Sequence, residues 1–354
     1  MRLEPQTRSV KIWLITICAF LTAMVSIGGI TRLTGSGLSI TDWAPIMGAI
    51  PPLSEVAWQI AFEKYQQIPQ FKLVNSGISI DEFKSLFFWE WFHRLIGRLI
   101  GVVVLVPGIY LSIRGQLSRP IAKRVLIGFI LGGLQGALGW FMVKSGLSER
   151  TSVSHFRLAA HLSLALVILS YFVWLTRSVM IANRSLTPEK ISVELAAAEF
   201  IRPKFTLLAA LFVLQIIYGA FVAGMKAGKA FNTFPLMAGS FIPGNLFELE
   251  PLWSNLFNNP ATVQWIHRTL GWTVFLFANG LWISLRVKKF PRSQVRTWTT
   301  ALAHMTIVQF IVGVLTLLHA VPVGLGVFHQ FGAAVIVILL TVLAHTLNNA
   351  KHSA

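Results

Sequence analysis

His93, His161, His267 and His329, four of the nine histidines in this 354-residue chain, lie within or at the edge of long apolar stretches at corresponding places. An ionisable ring is costly in such a setting, so each of them marks a candidate site. Trp91-Phe92-His93-Arg94-Leu95-Ile96-Gly97 returns 174 residues later as Trp265-Ile266-His267-Arg268-Thr269-Leu270-Gly271, and Gln135 and Gly139 return as Gln309 and Gly313 at the same spacing. His161 and His329 correspond at a spacing of 168, the slip falling in loops, where length varies freely. Two histidines per repeat, each in the outer third of its stretch, suit a pair of imidazoles facing one another within a helical bundle and ligating one haem iron. A zinc site would need three or four ligands converging on one point. The single cysteine, Cys18, lies in the first apolar stretch, which removes thiolate sites and internal disulfides.

The other histidines fit no such pair. His155 precedes His161 by six residues, about 240° round a helix, so the two cannot address one metal from one face. At the 174-residue spacing, His304 matches Ile130 and His319 matches Ser145. His345 and His352 stand near the C-terminus, where a solvated or snorkelling role is expected.

The two repeats diverge next to their first histidine, where Glu90 faces Gln264. Glu90 precedes His93 by three residues, about 300° round and ~4.5 Å along a helix, so both side chains share a face. A carboxylate there can take a proton from, or stabilise positive charge on, a carbon under oxidation. The alternatives are a helix N-terminal acid favoured by the dipole, or a partner for Arg94. Arg94, Arg98, Arg157 and Arg268 lie near the outer ends of the same stretches and are candidates for haem propionates, with snorkelling to lipid phosphates as the alternative.

The elements that must hold these residues follow from composition. With 55% apolar residues, 12% charged and a mean hydropathy of +0.67, the bilayer is the solvent. Apolar runs at 12–30, 95–113, 125–143, 158–176, 205–225, 269–285, 298–320 and 325–347 approach the roughly 20 residues of a spanning helix. The fold class is therefore all-α integral membrane, with eight spans. Two sets of four spans in the same orientation make the repeat parallel, giving two four-helix bundles. The expected organisation is an N-terminal half at 1–181, a linker at 182–203 and a C-terminal half at 204–354.

The net charge of +17 does not point to nucleic acid, because the cations sit between spans instead of on one soluble face. Arg2, Arg8 and Lys11, then Arg114 to Arg124, then Arg177, Arg184, Lys190, Arg202 and Lys204, then Arg286 to Arg296, make every second loop basic. By the positive-inside rule both termini and these loops are cytoplasmic, and the histidines lie toward the outer face. The first apolar run exceeds a signal peptide's core and lacks a convincing cleavage site, so it is expected to remain as an anchor, and no transit peptide is evident. The long outer loop 31–88 contains Pro45, Pro51 and Pro52, and an amphipathic segment at 53–67 that predicts a surface helix. Its Thr31-Arg32-Leu33-Thr34-Gly35-Ser36-Gly37-Leu38-Ser39 start looks like a phosphate loop but lacks the strand-to-helix context and the lysine.

Gly28-Gly29-Ile30-Thr31-Arg32-Leu33-Thr34-Gly35-Ser36-Gly37-Leu38-Ser39, Glu90-Trp91-Phe92-His93-Arg94, Arg157-Leu158-Ala159-Ala160-His161-Leu162 and Gln264-Trp265-Ile266-His267-Arg268 together resemble haem A synthases, over nearly the whole chain. The resemblance implies an oxidoreductase that converts the C8 methyl of haem O to the formyl of haem A, with water-derived oxygen, for cytochrome c oxidase. It implies that His93 and His161 ligate the substrate haem, that His267 and His329 hold a resident haem b, and that Glu90 stands beside the substrate. The chain lacks the outer-loop cysteine pair of one branch and aligns with the cysteine-poor branch. A bacterial inner-membrane setting is expected, with the bilayer, haem O synthase and cytochrome oxidase assembly factors as partners, a homo-oligomer left open, and no nucleic acid. The same histidines would also serve a two-haem electron-transfer cytochrome, and a parallel repeat would suit a haem transporter. Glu90 separates the first rival from the synthase, and the placement of the histidines near one membrane face argues against the second.

Overall fold

The computed structural model describes residues 6–44, 46–147, 151–182 and 187–352, so Arg2, Pro45, Arg184 and the side chain of His352 lie outside the described residues. Eight long helices dominate: α1 (Arg8–Leu33), α4 (Ile80–Ile113), α5 (Arg119–Leu147), α6 (His155–Ile181), α7 (Pro188–Gly224), α10 (Pro260–Val287), α11 (Gln294–Leu318) and α12 (Val323–His352). All eight are long and apolar enough to cross a membrane. Four short helices interrupt the loops: α2 (Glu55–Gln66), α3 (Pro69–Val74), α8 (Ala227–Ala230) and α9 (Asn255–Asn258). Hydrocarbon offers the backbone no hydrogen bonds, so each span closes its own ladder.

Helix ends are set by short polar signals. Ser79 and Glu82 form a capping box that starts α4 well before the apolar run at 95–113, so this helix is longer than its membrane segment. Asn259 caps α10 ahead of Pro260, and Thr7 and Ser293 cap α1 and α11. Helix α7 runs through Pro203, so 188–203 is helix continuous with the fifth span. Its polar appearance hides Ala197, Ala198 and Ile201, which are fully buried in the main apolar core, while Arg202 donates to the Leu347 carbonyl at 2.9 Å.

Neighbour relations fall into two cycles. Helix α1 packs on α4 and α6, and α5 packs on the same two. Helix α7 packs on α10 and α12, and α11 packs on the same two. Contacts of α1 with α12, α6 with α12 and α6 with α7 join the cycles. At that junction Gln330 donates to the Val25 carbonyl at 2.6 Å, and a Cβ on Gly29 would meet its amide oxygen at 2.9 Å. Large side chains such as Val106 (60% exposed) and Leu276 (61%) form the outward apolar surface that lipid would cover.

Over the first cycle, residues 34–44 and 46–79 form a packed cap rather than an open loop. Gly35 turns the chain out of α1 at φ 74°, a conformation that favours glycine. The cap core is Leu38, Phe62, Tyr65 and Ile68 against Phe83 and Phe87 at the start of α4, with the Tyr65 and Phe83 rings stacked 5.1 Å apart. Helix α2 falls on the segment at 53–67 where the sequence predicts a helix, with Phe62 and Tyr65 turned into the cap core. Gln70 donates to the Gly35 carbonyl at 2.9 Å, and Asn75 donates to the Tyr65 hydroxyl at 2.7 Å. Burial pushes the Tyr65 hydroxyl up from its usual range, opposed by the Asn75 bond and reinforced by the charge of Glu90.

Candidate functional site

The four histidines occupy equivalent places. His161, His267 and His329 follow the first residues of α6, α10 and α12 by six or seven positions, about 9–10 Å along the axis, at the same end of the molecule. His93 is deeper in α4 because that helix begins inside the cap. The helices of each pair share both neighbours: α1 and α5 flank α4 and α6, and α7 and α11 flank α10 and α12. His93 and His161 lie within electrostatic reach of each other, as do His267 and His329.

Each flanking helix presents a glycine to one imidazole. A Cβ on Gly28 would stand 3.5 Å from His93 Nε2, and one on Gly139 would stand 3.0 Å from His161 Cε1. On the other side the values are 3.0 Å for Gly219 against His267 and 2.7 Å for Gly313 against His329. Gly139, Gly219 and Gly313 make room for rings that a larger residue would crowd, whereas Gly28 stands at ordinary contact distance. Glutamines approach three of the four rings, two of them at Nδ1: Gln135 Nε2 lies 3.2 Å from His161 Nδ1, Gln309 Nε2 lies 3.1 Å from His329 Nδ1, and Gln215 Nε2 lies 3.4 Å from His267 Nε2. The sequence marked Gln135, Gln309, Gly139 and Gly313 only as signs of duplication. Gly219 carried no signal there.

A haem ligated by two imidazoles fits this donor set. Each pair supplies two ring nitrogens, and among the described residues no three His, Cys, Asp or Glu side chains converge as zinc would require. The glycine cradles hold the rings, and His267 Nδ1 is buried without a hydrogen-bond partner.

Beside the first histidine of each pair, the neighbouring motif residues turn to the adjacent loop. Glu90 is 2% exposed, and both its oxygens are engaged: Oε2 accepts from the Ser39 hydroxyl and the Ile40 amide, each at 2.8 Å, and Oε1 accepts from Arg94 at 2.7 Å. Arg94 also donates to the carbonyls of Ile40 and Asp42. Trp91 donates to Ala49, and Trp265 donates to Phe241. In the second set Gln264 donates to the carbonyls of Ala227 and Phe231 and accepts from Arg268, which also reaches the Phe231 and Thr233 carbonyls. The partnership of Glu90 with Arg94 is thus realised within a larger tether. The glycine-rich segment after α1 serves it, bringing Ser39 and Ile40 to the carboxylate.

Arg98 donates to the Ala44 carbonyl at 3.0 Å, and Arg157 lies 4.6 Å from the centre of the Phe141 ring. Arg94 and Arg98 line a cleft of about 310 Å³ between the cap and α4, together with Lys64 and Asp42, which pair at 2.7 Å. His155 lies against Phe156 with the rings tilted, and His304 packs edge-on to Trp282. His345 departs from its expected solvated role: it is 3% exposed, bonded to Ser178 at 2.9 Å and packed against Trp174, because the apolar face of α12 carries it into the contact with α6.

A family model described as cytochrome oxidase assembly protein matches residues 11–341. The chain is 43% identical to a haem A synthase of Nitrosospira multiformis over 92% of this chain and 90% of the relative. It is 45% identical to one of Rhodospirillum centenum over 96% and 88%. For one of Brucella ovis the identity is 44% over 97% and 92%. Likeness of this extent, together with the paired, glycine-backed histidines, places the chain in the haem A synthase family of cytochrome oxidase assembly proteins.

Proposed function

We propose that the chain is a membrane oxidoreductase that converts the C8 methyl of haem O to the formyl group of haem A. Water supplies the oxygen, so the conversion releases electrons and protons in equal number, four of each per methyl. His93 and His161 hold the substrate haem through its iron. His267 and His329 hold a resident haem b, whose chemistry is to take up and pass on electrons. The observation that carries this reading is the duplicated, glycine-backed histidine pair with a carboxylate beside one copy and a carboxamide beside the other.

Glu90 contributes through its charge and its position. Held by Ser39, Ile40 and Arg94, it ties the cap to α4 one turn before His93, from where its charge would favour a substrate carbon that becomes electron-poor beside it. A proton leaving that carbon would have the carboxylate as its nearest acidic-side-chain acceptor on this helix face. Arg94, Arg98, Arg157 and Arg268 stand at the same end of the spans, where haem propionates are the anions they would meet. Duplication of a four-helix unit is supported by the matching neighbour cycles and by the 174-residue spacing. The basic loops favour cytoplasmic termini, which puts both sites toward the outer face of a bacterial inner membrane. Haem O synthase as supplier and oxidase assembly factors as recipients fit this placement.

Pigment extraction from membranes with and without the gene tests the reaction. Haem A is expected to vanish and haem O to accumulate in its absence; unchanged haem A would sink the reading. Glu90→Gln separates a synthase from an electron-transfer cytochrome: haem A formation is expected to stop while haem stays bound, whereas a cytochrome would keep its electron-transfer function.

A further inference from the structure

We infer that Gln135 and Gln309 are positioning residues that make the two ligands of each pair unequal, with His161 and His329 fixed and His93 and His267 loosely held. The inference rests on the ligation reading above. Gln135 Nε2 reaches His161 Nδ1 at 3.2 Å and the carbonyl of the same residue at 2.9 Å. Gln309 repeats this on His329 at 3.1 and 2.8 Å. One turn along, Gly139 and Gly313 accept the Cε1 edge of the same rings. Each imidazole is thus gripped at its Nδ1 edge and at its carbonyl by one helix face, and its Nε2 is left to bind iron.

An iron-bound imidazole carries its remaining proton on Nδ1, and the group behind that nitrogen sets ring orientation and ligand basicity. A carboxamide can offer either N–H or C=O there. The Gln135 carbonyl oxygen is buried without a partner, so it is the acceptor that a ring protonated at Nδ1 would take, the carboxamide turning over and giving up its bond to the His161 carbonyl. The other two histidines lack this support. Among the described residues no hydrogen bond reaches His93, and His267 Nδ1 is buried unpartnered, Gln215 approaching the opposite ring nitrogen at 3.4 Å. In the first set the place of Gln215 is taken by Met24, whose methyl lies 3.5 Å from where a Gly97 Cβ would be, as the Gln215 amide lies 3.4 Å from that point on Gly271. A site that must admit haem O and release haem A therefore has one ligand that holds and one that lets go, His93.

The test uses the purified full-length protein with its haems in lipid nanodiscs. Gln309→Leu is expected to speed haem loss to excess apomyoglobin by roughly tenfold and to raise the reduction potential of the resident haem. Gln309→Glu, a stronger acceptor for Nδ1–H, is expected to restore retention and to bring the potential below that of the parent. A merely structural role would make both variants lose haem alike and leave the potential of the remainder unmoved, which overturns the inference. In the other set, His161→Ala is expected to release substrate haem faster than His93→Ala; equal rates, or the reverse order, also overturn it. Unchanged haem content in both histidine variants would instead sink the ligation reading on which the inference stands.

Discussion

The two loop ends of the molecule solve one mechanical problem with different chemistry. In both sets a residue at the start of the motif, the tryptophan after it and the arginine four residues on tie a loop to the helix that carries the first histidine. Over α4 the tied segment is a cap with an aromatic core, and its tether is charged, Glu90 to Arg94 at 2.7 Å. Over α10 the segment is held by Arg268 and by neutral amides, with no carboxylate: Gln264 donates to two carbonyls, and Asn255 and Asn259 donate to the carbonyls of 245–252. A carboxamide with carbonyl partners does in the second set what a carboxylate with N–H and O–H partners does in the first, so a loop can be tied at this helix position without a negative charge. The carboxylate over one histidine pair fits the catalytic role proposed for Glu90.

The sharpest way to break this comparison is to remove ligands from each side separately. His93→Ala is expected to abolish haem A formation while the resident haem keeps its low-spin spectrum, whereas His329→Ala is expected to strip that spectrum; pyridine haemochrome analysis distinguishes them. Identical spectra in the two variants would dissolve the division of labour between the sets. Next in size, Phe83→Ala opens the cap core and is expected to cost ~3–5 kcal/mol of local stability, read as faster proteolysis within 34–79 with the spans intact. Exchanging the two tethers probes the charge itself. Glu90→Gln turns an amide N–H either toward the Ser39 and Ile40 donors or toward the Arg94 guanidinium, with an expected loss of about 1.5–3 kcal/mol, while Gln264→Glu is expected to leave haem A formation unchanged. If Gln264→Glu proves as harmful to product as Glu90→Gln, the asymmetry has no catalytic meaning.

Smaller effects should grade the glycine cradles. Gly313→Ala puts a methyl 2.7 Å from His329 and is expected to cost about 1–3 kcal/mol, visible as lost haem in the second set. Gly28→Ala meets His93 at an ordinary 3.5 Å and should be nearly silent in haem content. Ser39→Ala removes one of two bonds to Glu90 Oε2, for about 1 kcal/mol, and should lower turnover less than Glu90→Gln does.

Much of this molecule was legible from residue order alone. A bilayer accepts few solutions for a polypeptide, so apolar runs of adequate length become helices, and the histidines that interrupt them stand out through their cost. The repeat spacing then pairs His93 with His267, and His161 with His329, without coordinates. Where a helix begins was less visible, since hydropathy reports the membrane and not the backbone: α4 starts at its Ser79 capping box, and α7 continues through Pro203. The direction in which side chains spend their hydrogen bonds depended on neighbours distant in sequence. Glu90 finds Ser39 and Ile40 only because Gly35 folds the chain back over α4, and His345 is buried only because α12 lies against α6. Helical periodicity fixes which residues share a face, but the packing of the helices decides what that face meets.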